Sequence, residues 1–228
     1  MRAYFAEFIA TLLFVFLGAG TVVVTGEILG EELTAARLVA IALAHGFAIT
    51  LLVTATAKIS GGHLNPAVTF AAWVTKKISL AVGIGYVLAQ LLGGVLGALL
   101  LKAALPFFAE GNLGAHGLGA GVQISEGLLV EIILTFGLVL VVFLTALDPK
   151  TSSTLAPAAI GLAVLVDHLF GVPITGASMN PARSFGPALV AGIWANHWIY
   201  WVGPILGALL AALVWKFFLT EKENRKSL

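Results

Sequence analysis

The sequence predicts an all-α membrane protein: six transmembrane helices plus two re-entrant half-helices in an inverted repeat. Three observations predict it. Six apolar stretches are each about long enough to cross a ~30 Å hydrocarbon core as a helix. Two shorter apolar stretches each begin Asn-Pro-Ala, after a glycine-rich run. The two halves of the chain also resemble each other, and each holds three spans. The composition agrees. Of 228 residues, 60% are hydrophobic and 10% charged, where soluble domains average about 25% charged. Mean hydropathy is +1.05. A soluble domain of this size has too little interior to hide so much apolar surface, which excludes a soluble globular enzyme.

The long stretches run roughly 3–24, 36–58, 80–103, 127–147, 155–171 and 197–219. The first reads as a retained span. It is too long for a cleaved leader, it lacks a small-x-small exit near Gly26, and it carries Glu7. Basic residues orient the spans. With the N-terminus inside, Arg2, Lys58, Lys76, Lys77, Lys150, Lys216, Lys222, Arg225 and Lys226 fall on the cytoplasmic side. Arg37, Lys102 and Arg183 remain outside, so nine of twelve basic groups favour two cytoplasmic termini. The acids Glu27, Glu31, Glu32, Glu110, Glu126 and Asp167 fall on the outer side in this arrangement.

The short stretches lie at roughly 65–75 and 180–190. Asn is a strong N-cap and Pro is favoured at the first helical position, so each Asn-Pro-Ala starts a short helix. Those helices follow Ser60-Gly61-Gly62-His63-Leu64 and Thr175-Gly176-Ala177-Ser178-Met179. The repeat pairs Ala6–Thr11 with Val130–Thr135, Asn65-Pro66-Ala67 with Asn180-Pro181-Ala182, and Tyr86–Lys102 with Tyr200–Lys216. Three spans per half is an odd number, so the second half lies upside down relative to the first. The half-helices then enter from opposite faces, and their N-termini meet near the midplane.

Paired Asn-Pro-Ala motifs in inverted halves resemble the aquaporin family, the major intrinsic proteins. The resemblance covers essentially the whole chain. It rests on Ser60-Gly61-Gly62-His63-Leu64-Asn65-Pro66-Ala67-Val68-Thr69 and on Asn180-Pro181-Ala182-Arg183-Ser184-Phe185-Gly186-Pro187-Ala188. It implies one aquaporin-like channel domain over 1–228, with repeat one about 1–106 and repeat two about 122–219. It also implies a homotetramer with one pore per monomer. The physics of the motif follows from its geometry. Two helix N-termini aimed at one spot make it positive, which repels cations. Asn65 and Asn180 offer amide donors there. A water accepting both turns its hydrogens away along the pore, which interrupts a proton wire. The carbonyls of Gly61, Gly62, His63, Gly176, Ala177 and Ser178 are expected to line the path. Irregular backbone is tolerated at membrane depth where it faces water.

In the family, the Arg matching Arg183 helps form the narrowest constriction. An Arg in an apolar setting normally faces a cavity or partner; snorkelling to the outer interface is the alternative. Carrying the family pattern over by spacing gives a selectivity filter of His45, His168, Ala177 and Arg183. Packing in a core is the alternative for each histidine. His63 is placed in the cytoplasmic vestibule, with packing as its alternative, and His197 at the interface. His116 lies in Gly114-Ala115-His116-Gly117. It is either an outer-mouth residue reaching Arg183 or a solvated turn residue. Glu7 and Glu131 occupy equivalent positions. Buried carboxylates need partners, so each is expected to accept N–H groups from the loop beside its half-helix; proton relay is the alternative. Gly46 and Gly161 read as a helix crossing, and Gly203, Gly207 and Ala211 as a packing stripe.

Ser184 and Ala188 stand where glycerol-conducting members usually carry Asp and a basic residue, and Tyr200-Trp201 resembles the water-channel branch. Water is therefore the leading substrate. His45 resembles the tonoplast intrinsic branch, as do Asp148-Pro149-Lys150, Gly176-Ala177-Ser178-Met179 and His197-Trp198-Ile199-Tyr200-Trp201. Many members of that branch carry Ile at the position of His168, so the filter is a hybrid. Ammonia, hydrogen peroxide or glycerol as permeant solutes stay open as alternatives. A secondary transporter with alternating access is a more distant one. The lipid bilayer, water and small neutral solutes are the expected partners. Net charge of +1 and the missing basic clusters argue against nucleic acid. The absence of cysteine removes disulfides, thiolate catalysis and cysteine–metal sites. No cofactor, metal or enzymatic activity is expected. The expected host is the plasma membrane, with the vacuolar membrane as the alternative.

Overall fold

The computed structural model describes residues 1–30, 32–106, 111–148 and 153–219. Glu31, Glu110, Pro149, Lys150, Lys222, Arg225 and Lys226 lie outside these residues. Helices are α1 (Arg2–Leu29), α2 (Ala35–Ser60), α3 (Pro66–Val74), α4 (Leu80–Ala104), α5 (Ile124–Val142), α6 (Ala156–Thr175), α7 (Pro181–Ala191) and α8 (Ile199–Val214). Helices α5 and α8 each run on into a π-helical turn, Phe143–Leu147 and Trp215–Leu219. Six of the helices are long and apolar enough to span a bilayer, whereas α3 and α7 have 9 and 11 residues.

The ends follow local chemistry. Thr34 caps α2 by accepting from the Arg37 N–H, and Ser79 caps α4 by accepting from Val82. Gln123 and Glu126 form a capping box, which starts α5 three residues before the apolar run does. Helix α6 runs to Thr175 and stops at Gly176, whose φ of 83° is the left-handed C-cap that glycine adopts without steric cost. Gly61 ends α2 in the same way with φ 93°. Ser60 and Thr175 are thus the last helical residues, rather than the first irregular ones that the sequence suggests.

Packing follows the repeat. Helix α1 pairs with α4, α5 with α8, and α2 with α6. A Cβ on Gly46 would sit 2.7 Å from the Gly161 carbonyl oxygen, so α2 and α6 touch backbone to backbone where the sequence expects a crossing. A Cβ on Gly207 would overlap the Ile132 carbonyl, and one on Gly93 the Phe8 carbonyl. Between them, Phe14, Val53, Leu64, Val139, Phe143 and Met179 fill one continuous core. Outward faces carry Leu51, Leu92, Leu162 and Phe170, all more than half exposed. A soluble protein would not leave so continuous an apolar belt in water, whereas a bilayer covers it.

Candidate functional site

Asn65 and Asn180 sit at the start of the two half-helices, 4% and 3% exposed. The Asn65 Oδ1 accepts from the Ala67 N–H at 2.8 Å, which caps α3. The Asn180 Oδ1 accepts from Ala182 at 3.0 Å and Arg183 at 3.3 Å, which caps α7. Pro66 and Pro181 occupy the first helical turn, where a missing N–H costs nothing. Each asparagine also reaches across the repeat. Asn65 Nδ2 donates to the Met179 carbonyl at 2.9 Å, and Asn180 Nδ2 donates to the Leu64 carbonyl at 2.9 Å. A primary amide has two N–H donors, and each cross-bond uses one. Leu64 and Met179 take φ of 53° and 51°, a left-handed conformation that turns their carbonyls toward the opposite loop. Such residues cost about 1–3 kcal/mol each and need strong local support.

That support comes from two fully buried carboxylates. Glu7 accepts from the Ser60 hydroxyl, the His63 and Leu64 N–H groups, and the Gln90 amide, at 2.6–2.9 Å. Glu131 accepts from the Thr175 hydroxyl and the Ser178 and Met179 N–H groups, at 2.6–2.9 Å. Tyr86 and Tyr200 complete the frame by donating to the Ser60 and Thr175 carbonyls. With the outermost and innermost carbonyls of each loop thus engaged, the intervening carbonyls are those of Gly61, Gly62 and His63 in one loop, and Gly176, Ala177 and Ser178 in the other.

His45, His168, Ala177 and Arg183 are all buried, at 2% exposure or less. The His45 and His168 rings stack with centroids 4.2 Å apart. Each Nδ1 faces a carbonyl one turn back, Ile41 at 2.9 Å and Val164 at 2.8 Å. A carbonyl only accepts, so each Nδ1 carries a hydrogen, and in a neutral imidazole this leaves a lone pair on Nε2. Arg183 uses the one on His45, with Nε and Nη2 each 3.3 Å from it. Gly18 leaves room for the His45 ring; a Cβ there would meet its Nε2 at 2.6 Å. On one side of the stack lies a cavity of about 450 Å³ that reaches from His168, Asn180 and Asn65 past Val53 and Leu138 to Lys58 and Thr145. His63 lines this cavity too, its Nδ1 3.1 Å from the Thr69 hydroxyl. His45, Ala177 and Arg183 lie beyond its end.

The loop before α5 corrects one expectation. The His116 ring makes no hydrogen bond to Arg183; Arg183 Nη1 donates instead to the Gly114 carbonyl at 2.8 Å. His116 Nδ1 lies 2.7 Å from the Ser184 hydroxyl, which in turn bonds Ser178. The loop thus gives the guanidinium a backbone acceptor at Gly114, while Ser184 engages one nitrogen of the His116 imidazole. Nor is His116 a solvated turn residue: it is 7% exposed, and its Nε2 is buried without a partner among the described residues. Burial first, and then the Arg183 charge, hold its pKa well below the usual histidine value. His197 is half-buried, accepts from the Trp201 indole at 3.1 Å, and has its pKa lowered by burial.

The signature of the major intrinsic proteins matches residues 1–215. The chain belongs to the major intrinsic protein family. It is 47% identical over 232 residues to the Arabidopsis thaliana protein named probable aquaporin TIP3-2, covering 98% of this chain and 86% of that one. It is 45% identical over 229 residues to mouse Aquaporin-4, covering 100% of this chain and 70% of that one. An X-ray structure of the aquaglyceroporin from Plasmodium falciparum superposes with a TM-score of 0.84, covering 96% of both chains at 23% identity, a likeness of fold alone.

Within this major intrinsic protein, several supporting residues escape a reading of the sequence. Ser60, Thr175, Gln90 and Gly114 carry no individual signal. Tyr86 and Tyr200 do pair in the internal repeat, and that pairing marks positions where both halves need the same hydroxyl. The frame is not fully symmetric. Gln90 has no counterpart in the second half, where Pro204 stands at the matching position. Thr135, the counterpart of Thr11, has a buried hydroxyl with no partner among the described residues.

Proposed function

We propose that the chain is a passive transmembrane channel that conducts water and excludes protons and ions. One observation carries this reading: two half-helix N-termini meet, each capped by an asparagine that also bonds the opposite loop. The asparagines act as paired donors to a single water oxygen, in the positive field of both helix ends. His45, His168, Ala177 and Arg183 form the selectivity filter, and the carbonyls of 61–63 and 176–178 supply acceptors along the path. Glu7 and Glu131 are spent on loop donors, which speaks against a coupled transporter, since coupling needs a carboxylate that can release its partners. A second reading has one observation behind it. The filter stacks two imidazoles; Arg183 takes the Nε2 of His45, and the Nε2 of His168 is left as an acceptor, which suits donor-rich solutes such as ammonia or hydrogen peroxide better than the CH edge of glycerol.

The homotetramer, the cytoplasmic termini and the host membrane belong to the same proposal. The TIP names of the plant relatives favour a vacuolar membrane over the plasma membrane expected above. Stopped-flow light scattering on one proteoliposome batch tests the function. Osmotic shrinkage is expected to accelerate, with a low activation energy and no response to a proton gradient. Saturable, gradient-driven uptake overturns the channel. Rates for water, ammonia and glycerol on the same vesicles rank the solutes.

A further inference from the structure

Away from the site, α3 and α4 enclose a surface groove of about 210 Å³. Its wall is wholly apolar and includes Phe70, Trp73, Leu80, Gly83, Ile84 and Leu88. The Thr69 hydroxyl turns inward to Gln90 and leaves its methyl group to the groove. Gly83 forms the floor. A Cβ there would meet Ile78, Trp73 and Thr69 at 3.6–3.9 Å, which is ordinary contact, so the space is open rather than collapsed. From Leu80 to Leu88 the groove follows α4 for about 12 Å, most of the ~15 Å depth of one leaflet.

The mouth of the groove has a different chemistry. The turn between α3 and α4 carries Lys76 and Lys77, both exposed, with Trp73 beside them at 37% exposure. Aromatic rings of this kind sit at the headgroup level. The Tyr4 ring packs on Tyr86 and Gly85, and the Lys77 ammonium lies 5.1 Å from the Trp215 ring. The turn therefore shares its face with the start of α1 and the end of α8. Among the described residues that face also bears Arg2, Lys58 and Lys216, against the single acid Asp148.

We propose that this groove holds one acyl chain of an anionic phospholipid, with the headgroup phosphate at Lys76 and Lys77. The bilayer supplies the chain, the apolar wall receives it, and the two ammonium groups select the headgroup. Each lysine near an anionic surface contributes about fivefold.

Trp73 provides a local probe. The full chain, purified in detergent and stripped of lipid, is titrated with phosphatidylglycerol and with phosphatidylcholine carrying brominated acyl chains. Trp73 quenching is read as the difference between the wild-type chain and Trp73→Phe. Half-quenching is expected at about 25-fold less phosphatidylglycerol than phosphatidylcholine. Lys76→Gln with Lys77→Gln is expected to erase that preference and leave water conduction unchanged. Gly83→Leu is expected to abolish quenching by both lipids. Equal potency of the two lipids on the wild-type chain, or an unaltered preference in the lysine variant, overturns the proposal. A change of oligomeric state in Gly83→Leu, with lipid quenching intact, assigns the groove to a second copy of the chain and also overturns it. Where Gly83→Leu does not fold, the lysine variant decides alone.

Discussion

Asn65 and Asn180 each perform two tasks with one amide. The oxygen ends a helix and the nitrogen joins the halves. Glu131 is as economical, since one carboxylate satisfies two N–H groups and a hydroxyl at membrane depth. Replacing it with alanine strands three buried donors, each costing about 1–3 kcal/mol. Glu131→Ala is expected to lower the apparent melting temperature sharply in detergent, or to abolish recovery of folded protein, as read by size-exclusion profile. Arg183→Val removes the donors that hold Gly114 and His45; in folded protein it is expected to raise glycerol or proton leakage in liposomes several-fold. His116 gives a pH dependence. Its folded pKa lies below the ~6.5 of an unfolded histidine, so the folded state binds fewer protons. Its contribution to stability is complete above about pH 6.5 and is lost as pH falls further. The melting temperature is expected to drop between pH 7 and pH 5, and His116→Gln to reduce that slope. At this scale, Glu7 and Glu131 were legible because a carboxylate in an apolar run demands an explanation. Ser60, Thr175 and Gly114 were not, because a hydroxyl or a backbone carbonyl there demands none.

The helices were legible as elements because apolar length and Asn-Pro starts report directly on spans and caps. Their ends were less so. The capping box moves the start of α5, and the left-handed Gly176 moves the end of α6. Hydropathy is blind to both. It is equally blind to the π turns, since an apolar residue fits either helical pitch. The Asp148 N–H bonds the Phe143 carbonyl five residues back, and the Phe143 ring stacks on Trp215 from the other π turn. Close helix crossings leave a sharper test. Gly207 faces the Ile132 carbonyl with no space for a side chain. Gly207→Val is expected to force α5 and α8 apart and reduce the yield of folded protein, whereas Val at the unobstructed Gly137 is not. Equal yields would argue against backbone contact at that crossing.

For the whole molecule, composition alone announced a bilayer protein, and the odd span count per half announced the inversion. The closed stack of His45 on His168 was beyond reach, because spacing places two residues near one depth without saying which way their rings turn. The chain has no cysteine, so mercurials have no thiol to attack. Water conduction is expected to survive mercuric chloride in proteoliposomes, and a block reversed by thiol reagents would contradict this.

The bond from Asn65 to Met179 spans 114 residues. At about 5–20 residues per second, a ribosome needs roughly 6–23 s to make the second end after the first. Throughout that interval the first loop has no cross-partner. Glu7, however, is already made, and it holds the N–H groups of His63 and Leu64. The second loop likewise follows Glu131. Each carboxylate therefore serves as a scaffold laid down ahead of the loop it braces, and the asparagine pair is the clasp that closes last, once both halves are in the membrane.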